Sequence, residues 1–400
     1  MSVARSGPSR VETETDGAVV VEPVTTRRDL ETFIGFPFKL YAGSKQWVPP
    51  FIEERRAFFN RRTNPFFEHA DHQLFIARRN GEVVGTIGAV VDHRHNEIHA
   101  EQAGAFGFLE LINDPDVAAA LFQAAEAWVR AQRMRVIRGP LNFSTNHECG
   151  LLIDGFDEAP MIMMTYNPTY YERLVESTGY VKAQDLLAYI GNVDELWENG
   201  PQKAFRAAEL AIREEGIRVR RADMRHFDRD VALATHIYNH AWERNWGFVP
   251  LTQREFQHIS GGLKPFLDPH LLFIAEAADG TPVGVSISLP DLNQPLLWGA
   301  GGHMFPLGIA KMMWYRRRIN QFRLTLLGVA EEYRGRGLEG FFVVETVRSA
   351  RERGYKRMEG SWILESNTMM NRISQRLGMR RYKTYRVYEK ALGEWTPRSS

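Results

Sequence analysis

The sequence carries one pattern twice, about 200 residues apart. Residues 72–85 read HQLFIARRNGEVVG and residues 270–284 read HLLFIAEAADGTPVG, so His, Leu, Phe, Ile, Ala, Gly, Val and Gly recur in one order with one insertion. Each copy predicts two strands and a tight turn, and Asn80-Gly81 and Asp279-Gly280 favour the positive φ angles of a type I′ hairpin. The spacing is too long for a solenoid repeat and indicates two copies of one domain.

The elements around each hairpin also follow one order, β–αα–ββ–β–α–β–α–β. Asn167 precedes a predicted helix that ends at Gly179, and Asn367 precedes one that ends at Gly378. We therefore expect an α/β (α+β) fold with two tandem domains, each a mixed, mostly antiparallel twisted sheet flanked by helices. The two sheets are expected to pack across a shared face. The predicted limits are a tail at 1–18, a first domain at 19–192, a linker with a connecting helix at 193–214, a second domain at 215–392 and a tail at 393–400.

Composition narrows the class of protein. Hydrophobic residues make up 44% of the chain and charged residues 25%, as in a soluble globular protein. The 50 basic and 49 acidic residues give a net charge of +1, which argues against a nucleic-acid partner. No apolar stretch approaches the roughly 18 residues that span a bilayer, and the N-terminus lacks the apolar run of a secretory signal. We therefore expect a cytoplasmic protein without an integral membrane segment, and we leave open peripheral membrane contact and the oligomeric state.

One loop in the second copy has the composition of an anion-binding site. The strand-like run RLTLLGV is followed by AEEYRGRGLEG and then by a helical pattern. Gly335, Gly337 and Gly340 let the backbone approach a ligand closely, and the first N–H groups of a helix have no partner inside it. The glycines, the free N–H groups, the helix dipole and two guanidinium groups together predict a binding site for a phosphate or pyrophosphate. The guanidinium groups are those of Arg334 and Arg336. The alternative is a solvated surface turn.

This strand, the loop pattern V-x4-R-G-R-G and the helix resemble the acyl-CoA pyrophosphate loop of the GNAT acetyltransferase superfamily, whose core has the element order given above. The resemblance implies an acyl-CoA co-substrate, either acetyl-CoA or a longer acyl-CoA. The pyrophosphate contacts that it implies are Arg334, Gly335, Arg336, Gly337, Leu338 and Gly340. The final small residue of the family's loop is replaced by Glu339, whose carboxylate would repel pyrophosphate if it faced the ligand.

The resemblance also implies roles for residues on either side of this loop. The backbone N–H groups of Leu327, Gly328 and Val329 would polarise the thioester carbonyl. Asn367 lies where the family's backbone meets the pantetheine arm of CoA. Ser374 stands where many members carry a Tyr that protonates the leaving thiolate, so another group or water would supply that proton.

The corresponding loop of the first copy has a different character. Asp114 is placed to cap the following helix, and Pro115 is placed at its first position. The loop has no glycine and carries Asp116 as a second carboxylate, so we expect a closed anion site. We therefore assign CoA binding to the second domain and a structural or substrate-shaping role to the first. This arrangement resembles tandem-domain members such as the N-myristoyltransferases and mycothiol synthase.

Two carboxylates are candidates for the base that takes a proton from an acceptor amine. Glu359 and Glu365 flank Gly360-Ser361-Trp362, on the strand beside the gap expected between the fourth and fifth strands of the family's core. A base must lie within hydrogen-bonding reach of the amine, directly or through one water. Either residue is alternatively a solvated strand residue. The weaker candidates are Tyr333, Tyr385 and His303.

Histidine and cysteine patterns have both a functional and a structural interpretation. His147 and Cys149 lie in a polar run at 139–150, which is either a loop that satisfies its own backbone or a wall facing a substrate. Cys149 is the only cysteine, so no intrachain disulfide forms, and no orienting partner marks it as a nucleophile.

His93 and His95 are expected on one face of a strand, close to His99. No Cys or well-spaced carboxylate completes a metal site, so we predict none.

A basic run follows Trp314 and Tyr315 and extends from Arg316–Arg318 to Arg323. Such a run is most often the solvated face of a helix. It could instead contact the 3′-phosphate of CoA or an anionic head group. Aromatic residues are not interleaved with basic ones as on an RNA-binding platform.

Together these features predict an acyl-CoA-dependent N-acyltransferase. The amine, expected to belong to a small-molecule acceptor, would attack the thioester directly in a ternary complex, without an acyl-enzyme. One alternative is the same chemistry with a long acyl chain and a lipid-like amine, which the high Phe and Met content favours. A non-catalytic acyl-CoA or metabolite sensor is a second, favoured by Ser374 and Glu339. A transferase that uses aminoacyl-tRNA is a third, and the balanced charge argues against it.

Overall fold

A computed structural model describes residues 17–200, 202–243 and 245–393. Of the two predicted tails, 1–16 and 394–400 lie outside the described residues. The strands of the first half are β1 Val20–Pro23, β2 Ala70–Arg79, β3 Glu82–Asp92, β4 Ala103–Leu111, β5 Val136–Gly139, β6 Leu141–Asn142, β7 Glu148–Cys149, β8 Leu151–Asp154 and β9 Val181–Asn192. Its helices are α1 Arg27–Leu40, α2 Ile52–Phe58, α3 His93–His99, α4 Pro115–Ala131 and α5 Tyr171–Ser177.

The second half repeats this order after two connecting helices. Its strands are β10 Arg218–Arg221, β11 Leu272–Glu276, β12 Pro282–Pro290, β13 Gln321–Val329, β14 Arg357–Leu364 and β15 Arg380–Ala391. Its helices are α6 Val193–Glu198, α7 Gln202–Glu214, α8 Phe227–Ala241, α9 Gln253–Leu263, α10 Asn293–Pro295, α11 Ile309–Tyr315, α12 Leu338–Glu352 and α13 Thr368–Arg376. The predicted α/β fold with mixed, mostly antiparallel strands and flanking helices is confirmed.

The strands of both halves form one continuous sheet of 13 strands rather than two sheets. Along it the order is β1-β2-β3-β4-β5-β15-β9-β14-β13-β12-β11-β10, with β8 paired to β15 off this path. Only the β4–β5 and β13–β14 pairs are parallel among the described strands of this sheet. The predicted packing of two sheets across a shared face is therefore wrong.

The two halves exchange their last strands. β15, at the end of the chain, pairs with β5 and β9 of the first half, while β9 pairs with β14 of the second half. Each parallel pair therefore obtains its next antiparallel neighbour from the opposite half. The predicted domain limits remain a prediction, because β9 and β15 each belong to one half by sequence and to the other by pairing.

Helices cover both faces of the sheet. In the first half, α4 buries Leu121, Phe122 and Val129 against the sheet. In the second half, α12 buries Val344 and Val347, as the helical spacing predicts. Each buried side chain of this size contributes about 1.5–3 kcal/mol to folding, so these two helices hold their halves of the sheet in place.

The two hairpin turns differ. Asn80 and Gly81 have φ angles of 51° and 83°, as a type I′ turn requires. In the second hairpin, Gly280 has a φ of 86° but Asp279 stays outside the left-handed region, and the Ala277 N–H donates to the Thr281 carbonyl at 2.8 Å. The type I′ prediction is therefore wrong for the second hairpin, where the inserted residue makes a longer turn.

The histidines at 93, 95 and 99 lie on a helix. The side chain of Asp92 accepts hydrogen bonds from the N–H groups of Arg94 and His95. Asp92 is therefore the N-cap of α3, which begins at His93. The prediction of a strand at 93–95 is therefore wrong, because the capping role of Asp92 was not recognised in the sequence.

Among the described residues, no group of three His, Cys, Asp or Glu side chains is arranged to hold a metal ion. Nor does any described helix combine the length and the apolar character needed to cross a membrane.

Candidate active site

A gap opens in the sheet between β13 and β14. The two strands pair only from Gln321 opposite Arg357 to Leu324 opposite Gly360, whereas β13 stays paired with β12 to its end. In the pairing of β12 with β13, Thr325 is an extra residue without an opposite partner, that is, a β-bulge. A β-bulge bends the strand that carries it. Backbone groups beyond the bulge that face β14 therefore lack a strand partner. The predicted thioester contacts are in this stretch: Leu327, Gly328 and Val329.

A cavity of about 370 Å³, called the smaller cavity below, adjoins the gap. Its walls come from the facing parts of β13 and β14, from α13, and from α8 and α9. Most of the lining side chains are apolar. Those from α8 and α9 include Phe227, Val231, Ala234, Tyr238, Trp242, Phe256, Ile259 and Leu263. The gap thus leads into a space suited to a hydrocarbon chain.

The predicted anion socket is exposed at the start of α12. Gly337 has a φ of 97° and immediately precedes the helix, and Gly335 has a φ of 72°. In the part of the chain that the structure describes, the N–H groups of Leu338, Glu339 and Gly340 have no hydrogen-bond partner. This combination of a glycine turn and free helix N–H groups fits a pyrophosphate.

The charged side chains of this loop have different environments. The guanidinium of Arg334 donates to the carbonyls of Val329 and Ala241, at 3.2 and 2.7 Å, and so stabilises the loop. Arg336 is exposed and pairs with Glu215 at 2.8 Å. The carboxylate of Glu339 accepts the Gly335 N–H at 3.4 Å, which draws this acidic group back onto its own loop. Both guanidinium groups are exposed, and the contacts of Arg334 and Arg336 with an anionic ligand remain predictions.

Asn367 and Ser374 both lie on the wall of the smaller cavity. The side chain of Asn367 caps α13 by accepting the Met370 N–H at 3.1 Å. Ser374 is buried further along the same helix. Their assigned contacts with CoA remain predictions.

Glu359 is fully buried at the base of the gap. It lies opposite Arg323 in the strand register, and the two side chains approach to 3.6 Å. Ser361 and Tyr382 donate hydrogen bonds to its carboxylate. Arg323 and Ser361 line the smaller cavity, but Glu359 does not. Its role as a base remains a prediction, and any contact with substrate would pass through Ser361.

Glu365 lies outside both cavities. Its carboxylate pairs with Lys182 at 2.7 Å and accepts the Asp185 N–H at 3.1 Å. More than a third of its side chain is exposed. The weaker candidates also differ in burial: Tyr385 is fully buried, Tyr333 is half-buried and His303 is exposed. None of these roles is tested by the geometry.

A second cavity of about 1030 Å³, called the larger cavity below, lies beside the first half. Sequence reasoning missed the acidic cluster on its wall, formed by Glu54, Glu110 and Glu148 around Arg55. Arg55 donates to both carboxylate oxygens of Glu148, at 2.9 and 3.1 Å. Burial alone would raise the pKa of Glu148, but the Arg55 guanidinium holds it below its ordinary value. The local signal for this cluster is a run of charges inside the apolar stretch FIEERRAFF.

Arg55 makes its hydrogen bonds within this cluster to Glu148 and not to the other two carboxyl groups. Glu110 accepts hydrogen bonds from Tyr41 at 2.7 Å and Tyr171 at 2.8 Å, and burial raises its pKa to about 7. Glu54 makes no hydrogen bond within the described part of the chain and presents its side chain to the cavity. The cluster therefore has an excess of carboxylates and suits a positively charged group.

Helix α9 separates the two cavities. Met163, Ile259 and Leu263 line both of them, so the two spaces adjoin along this wall. On β7, Glu148 lines the larger cavity and Cys149 the smaller. Burial raises the pKa of Cys149 to about 12, which keeps it a thiol at neutral pH and argues against a nucleophile.

Burial likewise lowers the pKa of His147 to about 4, so this ring is neutral. It lies 3.0 Å from the Ser144 hydroxyl. The polar run at 139–150 therefore satisfies part of its own hydrogen bonding and also lines both cavities. That the run faces a substrate remains a prediction.

The equivalent gap of the first half is filled by its own chain. β4 leaves β5 after Ala105, and a Cβ atom on Gly107 would lie 2.0 Å from the Leu141 carbonyl oxygen. The Phe108 N–H donates to the side chain of Asn142 at 2.8 Å. At the helix that follows, Asp114 accepts the N–H groups of Asp116 and Val117, as predicted. Within the described residues, this half therefore offers neither an open gap nor a free N-terminus at α4.

Solved structures with this architecture are known, although no known family profile matches the chain. A tandem GNAT protein from the clavulanic acid biosynthesis pathway superposes with a TM-score of 0.56 over 94% of this chain and 100% of its own, at 11% identity. That likeness shows the fold, and it agrees with the resemblance found in the sequence.

Two relatives are similar in sequence along almost the whole chain. The bacterial ceramide synthase of Caulobacter vibrioides is 38% identical over 94% of this chain and 99% of its own. Protein YghO of Escherichia coli is 34% identical over 93% of this chain and 95% of its own. The chain belongs to the family of these two proteins, and it has the fold of tandem GNAT proteins. It is an acyltransferase, which disfavours the interpretation as a sensor.

We predict that His69 makes the attachment of α9 dependent on pH. Its ring contacts Asp92 at 2.9 Å and Glu255 of α9 at 3.1 Å. Burial alone would lower its pKa, but the two carboxylates raise it from 6.5 to about 9. Because the folded pKa is raised, this stabilisation is fully present below about pH 6.5 and is lost as pH rises through about 9. The contribution lost is about 2–3 kcal/mol.

Urea unfolding of the wild type and of His69→Gln between pH 6 and pH 9.5 measures this contribution. The free energy of unfolding of the wild type should fall more steeply with pH than that of the variant. His226→Gln, at an exposed histidine paired with Asp223, is the control and should retain the wild-type slope. Equal slopes for His69→Gln and wild type would show that His69 is not the titrating group.

Proposed function

We propose that this acyltransferase moves a long acyl chain from CoA to the amine of a lipid-like acceptor. The observation that carries the proposal is the apolar cavity behind the gap between β13 and β14. An acetyl group would leave most of this space unfilled, whereas a hydrocarbon chain would bury apolar surface there. The relative named a bacterial ceramide synthase supports the same choice, since a ceramide joins a fatty acyl chain to the amine of a long-chain base.

The donor would lie along the second half. The free N–H groups at the start of α12 and the exposed Arg336 would hold the pyrophosphate, and Asn367 would lie beside the pantetheine arm. The thioester supplies an acyl group that an amine can attack. N–H groups of β13 that face the gap would polarise its carbonyl. In the transfer the C–N bond forms, the C–S bond breaks, and the sulfur leaves as a thiolate, which takes up the proton that the nitrogen releases as the amide forms.

The acceptor amine would enter from the larger cavity. The carboxylate excess around Arg55 suits the ammonium form of a long-chain amine, and Glu54 is the carboxylate without a hydrogen-bond partner among the described residues. We propose that Glu54 holds this ammonium close to the wall that the two cavities share. The ammonium must lose one proton before its nitrogen attacks, and the nitrogen loses a second proton as the amide forms. Ser361 would pass the first of these protons to Glu359, since Ser361 lines the smaller cavity and its hydroxyl donates to that carboxylate.

The first prediction from this proposal concerns the length of the acyl chain. Ala234 is buried on α8 and lines the smaller cavity. Ala234→Phe should lower kcat/KM for palmitoyl-CoA relative to a shorter acyl-CoA by about tenfold, since displacing two methylenes loses about 0.8 kcal/mol each. The measurement is release of CoA thiol with a long-chain amino alcohol as acceptor. Ala232→Phe, on the exposed face of the same helix, is the matched control and should keep the wild-type ratio.

The long-chain proposal fails if the wild type uses acetyl-CoA as well as palmitoyl-CoA. It also fails if Ala234→Phe retains the wild-type preference while it melts cooperatively. Cooperative melting of both variants is required because adding a ring to a core position destabilises the fold by roughly 1–3 kcal/mol.

The second prediction concerns the pyrophosphate socket. Gly337→Ala should weaken CoA binding about tenfold, because alanine disfavours the φ of 97° that exposes the N–H groups of α12. Gly354→Ala is the matched control, since Gly354 follows the other end of α12 with a φ of 82°. Isothermal titration with CoA should show the loss only for Gly337→Ala, while both variants lower the melting temperature. Equal CoA affinities in the two variants would refute the socket.

The third prediction concerns the acceptor. Glu54→Gln removes the charge of an unpaired carboxylate and should raise KM for a long-chain amine about tenfold, as expected for a charge-assisted hydrogen bond. The affinity for CoA should not change. Glu97→Gln, at an exposed position on α3, is the control for the loss of one negative charge. An unchanged KM in Glu54→Gln would place the amine elsewhere.

A further inference from the structure

We propose that segment 293–318 docks the protein onto the surface of a membrane that contains anionic lipids. The segment consists of short helical turns between β12 and β13 and ends with α11 and Arg316–Arg318. The proposal concerns the surface alone and does not depend on the transfer reaction proposed above.

Large apolar side chains are exposed along the outer side of this segment. Five of the ten exposed large hydrophobic residues in the described part of the chain belong to it: Trp298, Phe305, Leu307, Met313 and Trp314. Phe305, Leu307 and Trp314 are each about two-thirds exposed, at 66%, 64% and 69%. Water is a poor environment for such a group of side chains, whereas tryptophan and phenylalanine partition well into the interface of a bilayer.

The charge of the segment has one sign. The sequence contains no acidic residue between Asp291 and Glu331. Lys311 and Arg316–Arg318 are exposed beside the apolar residues. A helix or turn with tryptophan, phenylalanine and leucine on its surface and lysine and arginine beside them is typical of a segment that lies in a membrane interface.

The same charges argue against a second copy of the chain as the partner. A symmetric dimer through this surface would bring two arginine clusters together without an acidic residue of the segment to offset them. Anionic lipid head groups complement these charges, and each basic residue near such a surface adds to the affinity. The occupant that fits both the apolar and the charged side chains is therefore a lipid bilayer.

The inner side of the segment lines the larger cavity. Leu296, Met304, Ile309 and Met312 are among the lining residues. The carboxylate of Glu53 on α2 accepts the Met304 N–H at 2.8 Å and so attaches the segment to the first half. One element thus has an outer side with exposed apolar residues and an inner side on the cavity with the acidic cluster. If the acceptor is a lipid-like amine, as proposed above, this places the bilayer next to the cavity that would receive it.

Sedimentation of the full-length protein with vesicles tests the docking without any substrate. We expect binding to vesicles of phosphatidylcholine mixed with phosphatidylglycerol, and much weaker binding to phosphatidylcholine alone. Replacing Arg316, Arg317 and Arg318 with Gln should weaken binding about 100-fold, because each basic residue contributes about a factor of five. The matched control replaces three exposed arginines elsewhere, Arg27, Arg28 and Arg62, with Gln and should keep most of the wild-type affinity.

A second measurement reports whether the apolar residues enter the lipid. The only native cysteine, Cys149, is buried, so Phe305→Cys provides a single exposed site for an environment-sensitive fluorophore. Its emission should shift to shorter wavelength on anionic vesicles, whereas a label at Val181→Cys, also exposed but on β9, should not shift.

Three results would overturn the proposal. These are equal binding to the two kinds of vesicle, equal binding of the two triple variants, and a label at position 305 that stays in water on bound protein. Concentration-dependent dimerisation that Phe305→Ser abolishes would assign the surface to a second copy of the chain instead. Because none of these measurements involves acyl transfer, failure of the proposed reaction would leave them interpretable.

Discussion

The exchange of the last strands is the constraint on which the rest of the structure depends. β14 is held on one side by β9 of the first half, so it keeps an antiparallel partner even where β13 turns away from it. A strand at such a gap would otherwise be an edge with unpaired backbone groups. β15 completes the first half in the same way between β5 and β9. The gap in the second half therefore opens inside a continuous sheet, where both of its walls are supported.

A buried ion pair lies where that gap begins. Arg323 and Glu359 form the next-to-last register pair of β13 and β14, and both side chains are almost completely buried. Burying two charges is favourable only when their remaining hydrogen bonds are satisfied. Here Ser361 and Tyr382 bond the carboxylate, while Arg323 donates to the Ile162 carbonyl of the first half at 2.9 Å. One network thus joins the base of the gap, the wall of the smaller cavity and the other half of the chain.

The sequence predicted the parts of the site that depend on neighbouring residues. The glycine-rich turn, the start of α12 and the helix starts marked by Asp114 and Asn367 all follow from local patterns, and the structure has each of them. The strand exchange was not predictable in this way, because pairing of β15 with β5 joins residues about 250 positions apart without a local signal. The same reason hid the acidic cluster, whose members Glu54 and Glu148 are distant in sequence. The helix at 93–99 was missed for a local reason, because the capping role of Asp92 was not recognised.

The two cavities differ in the groups on their walls, although the two halves repeat one fold. The same splayed strand pair occurs in both halves, but in the first half Leu141 and Asn142 occupy the space beside β4. What remains there is a larger space in front of the sheet, with carboxylates rather than free N–H groups on its wall. The second half keeps the opposite features, an open gap and a helix N-terminus with free N–H groups. The carboxylates and the helix N-terminus with free N–H groups thus lie in different halves, and α9 contributes Ile259 and Leu263 to the walls of both cavities.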